Sequence, residues 1–344
     1  LPSVAWDSVR LHVVTGKGGT GKTTVAAALA LALAAQGRRV LLIEVEGRQG
    51  IAGLFDTAPL PYEERKVAVA PDGGDVFALA IDAQEAVLEY LEMYYRLGRA
   101  GKALDRMGAL DFATTVAPGL RDVLMTGKTY EAARRRGQGG GFAYDAIVMD
   151  APPTGRVTRF LNVNEEVTTL TRVGPINRQA DSIMTLFRSS ATAVHVVTVL
   201  EEMPVQETVD GITELTSARL PVGAVIVNQM RTSPLAPSDL AAAHAGHVDT
   251  AAIRAGIVAG DLADLPHMTD QMVDAWADAL GREVVQHADR VALEQQQSDR
   301  LRQLGVPVLE LPRVTDGVDL GSLYTLADQL RSQGVHGFAG RATR

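Results

Sequence analysis

Apolar residues fall along this chain in short unbroken runs separated by stretches of helical period. Residues 11–14, 39–44, 76–81, 146–149, 194–200, 222–227 and 306–311 are such runs and read as buried strands. Between them, the Ala/Leu-rich residues 23–36 predict a helix stopped by Gly37, and residues 51–55 carry helical apolar spacing. Residues 83–106 place Val87, Leu88, Leu91, Tyr94, Tyr95 and Leu97 largely on one helical face. Helical patterning resumes over 119–136, after residue 208, and through most of 232–304, where Val273, Trp276, Leu280, Val284, His287 and Val291 form the expected core stripe. A proline-bearing loop at 56–61, a turn at 72–75 and a glycine loop at 137–141 interrupt the pattern, and a frayed tail is expected after Gly334. Strands alternating with helices predict an α/β fold: a doubly wound, mainly parallel sheet with its ligand at the strands' carboxyl ends. No repeat or linker divides residues 1–344, so one domain is expected, with helical insertions at about 83–136 and 232–304.

Composition narrows the function. Hydrophobic content of 46% supplies a core, and a net charge of −8 argues against a nucleic-acid partner. The absence of cysteine excludes disulfides, thiolate metal sites and cysteine nucleophiles, and suits a reducing, cytoplasmic setting. The longest apolar run, residues 25–35, is too short to span a bilayer. The chain opens on Leu1 rather than Met, so its true N-terminus is expected upstream, and the residues present show no signal peptide. His244 and His247 stand three apart with no third ligand beside them to make a metal triad. Arg134, Arg135 and Arg136 read as a solvated helix end.

One stretch carries the chemistry. Gly16, Gly21, Lys22 and Thr23 fit the G-x-x-x-x-G-K-[ST] spacing of a phosphate-binding loop, or P-loop, between a buried strand and a helix. Gly16, Gly18, Gly19, Thr20, Gly21 and Thr24 complete a loop whose N–H groups curl inward toward phosphate. Lys22 is placed to reach the outer phosphates and the Thr23 hydroxyl to ligate Mg²⁺. Lys17 is a second loop cation in a chain that uses 28 arginines but only five lysines, which suggests that a compact ammonium is needed there. Asp150, closing the run 146–149, sits where such enzymes put a carboxylate near Mg²⁺, here acting through water. The fold is therefore expected to be of the P-loop NTPase type.

The pattern G-K-G-G-T-G-K-T-T over residues 16–24 resembles the deviant P-loop of arsenical pump-driving ATPases, tail-anchored-protein targeting ATPases and their septum-placing and partitioning relatives. Residues 150–156 (D-A-P-P-T-G-R), continuing through Arg159-Phe160-Leu161, resemble the D-x-A-P-T-G switch of the arsenical-pump and targeting branch, with Ala151-Pro152 in altered order. The resemblance implies an ATP-hydrolysing dimer in which Lys17 reaches the partner's nucleotide. It implies Gly155 near the γ-phosphate, Asn228 reading adenine, and Pro312-Arg313 on the base side. Arg231, three residues after Asn228, stands where a guanine reader would want Asp, so ATP is favoured over GTP. Glu46 occupies the position of the family's water-orienting Asp, one methylene longer.

Three departures limit the likeness. Without cysteine, no arsenite or bridging zinc site of the usual kind can form. The interval 162–192 is short for a tail-anchor groove, and the nine methionines are scattered. Glu46 replaces Asp. The favoured reading is a dimeric ATP switch, homodimeric or paired with a related ATPase chain, serving a protein or membrane-system client and reaching a membrane only through a partner. The other is a slow nucleotide-binding regulatory subunit paired with an active chain.

Overall fold

The computed structural model describes residues 4, 6–82, 85–86, 89, 118–137, 140–162, 175–260, 268–315 and 317–337. The helix expected over 83–106 lies outside the described residues except at its first positions. Eight strands form one sheet: β1 (Leu11–Gly16), β2 (Arg39–Glu44), β3 (Arg65–Val69), β4 (Asp75–Ala80), β5 (Ala146–Asp150), β6 (Thr192–Thr198), β7 (Val222–Met230) and β8 (Val308–Pro312). Their spatial order is β3-β4-β2-β5-β1-β6-β7-β8. Every pairing is parallel except β3 with β4. The expected doubly wound α/β sheet is present.

β3 was not anticipated. Its segment, Arg65-Lys66-Val67-Ala68-Val69, is a sheet edge, and charged residues on an edge strand blunt pairing with other chains while erasing the apolar signal. Central β1 and β5 are buried at every position, which is why they read as unbroken apolar runs.

The helix after the P-loop, α1 (Lys22–Ala34), is apolar on all sides, and Val25 through Ala34 are buried. Such a helix needs cover on both faces. The central strands supply one face and a C-terminal helix (Leu320–Ser332), whose Leu323, Leu326 and Leu330 are buried, supplies the other. The chain beyond that helix is packed rather than frayed at its start: Val335 is 2% exposed and joins the same core.

The remaining helices in chain order are α2 (Gly50–Leu54), α3 (Pro118–Arg134), α4 (Thr154–Leu161), α5 (Pro175–Phe187), α6 (Glu202–Ser217), α7 (Pro237–His244), α8 (Thr250–Ala259) and α9 (Asp270–Arg302), with Leu320–Ser332 as α10. Contacts divide the chain into two compact units. One comprises residues 1–199, 203–230 and 304–344; the other comprises 200–202 and 231–303. Within the second unit α7 and α8 pack on α9. The buried face of α9 runs through Val273, Ala277, Gly281 and Ala288; of the expected stripe Val273 is buried and Val284, His287 and Val291 are half-buried, but Trp276 and Leu280 are 39% and 46% exposed. Small residues at 277, 281 and 288 let helices approach closely, and the large apolar side chains one position away misled the pattern.

Two histidines sit in the sheet itself. His12 on β1 and His195 on β6 are fully buried and stack with each other and with Trp6. The Ala224 N–H donates to His195 Nδ1, so the His195 proton is on Nε2, which donates to His12 Nδ1 at 3.1 Å. Burial holds His195 down to about 3, and burial, followed by the charge of His195, holds His12 well below its ordinary value. A folded-state value below the unfolded one means stability is complete above about pH 6.5 and lost as pH falls toward 3. His195 alone should cost about 2 kcal/mol between pH 8 and pH 5. Urea denaturation at both pH values should show the loss, and His195→Gln, whose amide can keep both hydrogen bonds, should reduce it. An identical pH dependence in that variant would remove the pair as its source.

Candidate functional site

The carboxyl ends of β1, β5 and β2 converge on the P-loop. Gly16 (φ 152°) ends β1 with its α-carbon so close to the Val197 backbone that a Cβ would overlap the Val197 carbonyl. Gly18 and Gly19 are exposed, and the Thr20 hydroxyl closes the loop by donating to the Lys17 carbonyl at 2.8 Å. Gly21 takes a left-handed φ of 87° just before α1 begins at Lys22. Lys22 is 8% exposed, while Thr23 and Thr24 are half-buried on the first turn.

Thr23 and Asp150 are joined directly. Thr23 Oγ1 donates to Asp150 Oδ2 at 2.6 Å, and Asp150 Oδ1 is buried with no partner. Burial pushes the Asp150 carboxyl up to about 6; the Thr23 hydroxyl and Lys22 oppose this, and Glu44 and Glu46 add to it.

Glu44 was missed by sequence reasoning. It closes β2, pairs in register with Asp150 on β5, and is 2% exposed. Its Oε2 accepts from the Ile51 N–H at 3.1 Å, and its Oε1, like Asp150 Oδ1, is buried without a partner. The signal was a carboxylate ending an otherwise apolar strand. Two orphaned buried carboxylate oxygens beside a Thr hydroxyl and a buried lysine fit a hydrated divalent cation and phosphate, because unsatisfied buried oxygens are costly without one.

Glu46 lies just beyond, 18% exposed at its side chain. Its oxygens are 3.5 Å from Arg48 Nη2 and 3.8 Å from Arg156 Nη1, ion pairs too long for hydrogen bonds. Arg156 follows Gly155 on the first turn of α4, where Gly155 is exposed with open space around it. The switch segment is tied back to β1: Thr15 Oγ1 donates to the Pro152 carbonyl at 2.7 Å, and the Ala151 N–H to the Val14 carbonyl.

Two placements differ from simple expectation. Asn228 does lie at the end of β7, but its Nδ2 donates to the Thr20 carbonyl at 2.9 Å, and a Cβ on Gly21 would collide with that nitrogen. Asn228 thus braces the P-loop, leaving its Oδ1 for other partners. Lys17 is held within its own chain, its Nζ 2.7 Å from Glu207 Oε1 on α6. Pro312 ends β8 opposite Met230, and the Arg313 N–H donates to the Met230 carbonyl, so 312–313 flank the β7 end that carries Asn228. Among the described residues no cluster of three or more His, Asp or Glu forms a metal site, and no helix is long and apolar enough to cross a membrane.

The sequence model of the family described as anion-transporting ATPase matches residues 9–190. ATPase BagA of Mycobacterium tuberculosis (H37Rv) is 53% identical over 337 residues, 97% of each chain. A putative arsenical pump-driving ATPase of Aquifex aeolicus is 28% identical over 156 residues, 44% of this chain and 48% of its own. ATPase GET3 of Eremothecium gossypii is 26% identical over 253 residues, 63% and 70% respectively.

Proposed function

This chain belongs to the anion-transporting ATPase family, and from that premise we propose that it works as a Mg²⁺-dependent ATP switch in a nucleotide-bridged dimer, with its nucleotide state governing a protein or membrane-system client. ATP binding and hydrolysis follow from the family; the metal, the dimer and the client are our reading. The observation that carries it is the Thr23–Asp150 hydrogen bond beside two orphaned carboxylate oxygens.

In this reading Thr23 holds Mg²⁺ directly, and Asp150 and Glu44 hold it through water; the cation, when bound, neutralises phosphate charge. The P-loop N–H groups and Lys22 grip the phosphates. Glu46 orients the attacking water and, one methylene longer than Asp, does so from further back. Asn228 serves the base through its Oδ1 while its amino group braces Thr20, and Pro312-Arg313 close the base side.

Lys17 is the partner-directed cation. A half-exposed ion pair of this kind is worth little, so phosphate charge from a partner can draw Lys17 away from Glu207. Lys17→Ala chains and Lys22→Ala chains should each lack turnover, and mixing them should restore part of it, because one composite site then has both cations. Glu207→Gln should promote nucleotide-driven association by freeing Lys17. No rescue, together with association indifferent to nucleotide, would refute the trans role. The regulatory-subunit reading keeps one supporting observation: Glu46 stands where the family's Asp orients water, and misplacing that water can cost about 10²-fold in rate.

A further inference from the structure

β1 carries the P-loop at its carboxyl end, and Arg10 stands at its other end, about 20 Å away for six extended residues. There a cleft of about 520 Å³ opens between α3, α5 and the start of β1. Three guanidiniums line it, those of Arg10, Arg134 and Arg136, together with hydroxyl side chains from both helices, among them Tyr130 and Thr185. Among the described residues that line it, none is acidic. In a chain of net charge −8 that is an unusual wall.

The cations are not neutralised in the way a structural cluster would be. Arg135, by contrast, is fully committed: it pairs with Glu131 and Glu64 and takes no part in the cleft. Arg10 and Arg136 both lie over the Phe142 ring, their guanidinium carbons 3.2 and 4.1 Å from its centroid. Arg10 donates to the carbonyls of Ala133 and Tyr144, yet its Nε is buried with no partner. Burial and then the Arg136 charge lower Arg10 to about 10; Asp145 opposes this, but its Oδ2 already accepts from the Arg39 N–H. An anion in the cleft would offset the repulsion between the Arg10 and Arg136 guanidiniums. Ala133, Phe142, Leu186 and Ala191 supply the apolar part of the wall.

We propose that this cleft is a second ligand site, for a small organic anion whose phosphate or carboxylate sits on Arg10, Arg134 and Arg136 and whose apolar part lies against Phe142 and Leu186. Arg134 and Arg136 are exposed, as a solvated helix end requires, and the proposal gives that end a ligand. The site is remote from the P-loop and independent of what the P-loop binds.

Calorimetric titration of the full chain with phenyl phosphate, phenylacetate and inorganic phosphate tests it, the first two distinguishing phosphate from carboxylate and the third isolating the bare anion. Saturable one-site binding of at least one aromatic probe is expected, tighter than inorganic phosphate and weakened by added salt. Lys22→Ala should leave that binding intact. Arg136→Gln and Arg134→Gln, both at exposed positions, should each weaken it at least about tenfold, the worth of one charge-assisted hydrogen bond. No saturable binding of any probe at 10 mM (roughly the weakest affinity a single anchored anion would show) overturns the proposal. So does loss of binding in Lys22→Ala, which would put the probe on the P-loop, or affinity indifferent to both arginine substitutions.

Discussion

Lys22→Ala should weaken Mg·ATP binding by at least about 10²-fold, the worth of two charge-assisted hydrogen bonds to phosphate. Lys22 is 8% exposed at the head of α1, where no solvent ion can replace its charge cheaply. Its loss has a second consequence. Lys22 is one of the two groups holding the Asp150 carboxyl down against burial, so the variant should also protonate Asp150 more readily and lose cation affinity as pH falls toward 6. Binding measured with a fluorescent nucleotide, with thermal melting to show an intact fold, checks both. Near-parental affinity would remove Lys22 from the site.

The parts of this site that could be read from the sequence are those held together by short spacing. The P-loop, with its strand before and helix after, is one continuous stretch, and Asp150 announces itself by ending an apolar run just before a proline-glycine switch. What escaped notice depends on sheet order. Glu44 meets Asp150 only because β2 lies beside β5, a pairing of residues more than a hundred positions apart. The Lys17–Glu207 contact and the brace from Asn228 to Thr20 likewise cross the chain, and no local pattern encodes them. The His12–His195 pair is hidden for the same reason: each is one polar residue in an apolar strand, and only the β1–β6 pairing brings the rings together.

Misreadings of the fold have equally physical causes. β3 is short, charged and at an edge, so neither alternation nor hydrophobicity marked it. In α9 most buried positions of the first half are small, Ala277, Gly281 and Ala288 after Val273, while Trp276 and Leu280 are exposed, so a count of large apolar residues shifted the expected face. The three consecutive arginines looked uniform in sequence, yet Arg135 is locked by two glutamates while its neighbours turn to the cleft beside Phe142.

Glu46→Gln carries the other large expected effect. The substitution keeps the shape and hydrogen-bonding reach of the side chain but removes its charge and basicity. Among the described residues the carboxylate has no hydrogen bond to break, since Arg48 and Arg156 stand at 3.5 and 3.8 Å, so the fold and ATP affinity should be spared. Turnover should fall about 10²-fold or more, as when a positioned base is lost, and the protein should accumulate in its ATP-bound, associated state. Steady-state ATP turnover of the purified chain with Mg²⁺, parent beside Glu46→Gln, is therefore the measurement that bears most directly on the switch. The account predicts Mg²⁺-dependent hydrolysis by the parent and its near-abolition in the variant; a parent that does not hydrolyse ATP, or one that hydrolyses it equally well with Gln at position 46, would contradict it.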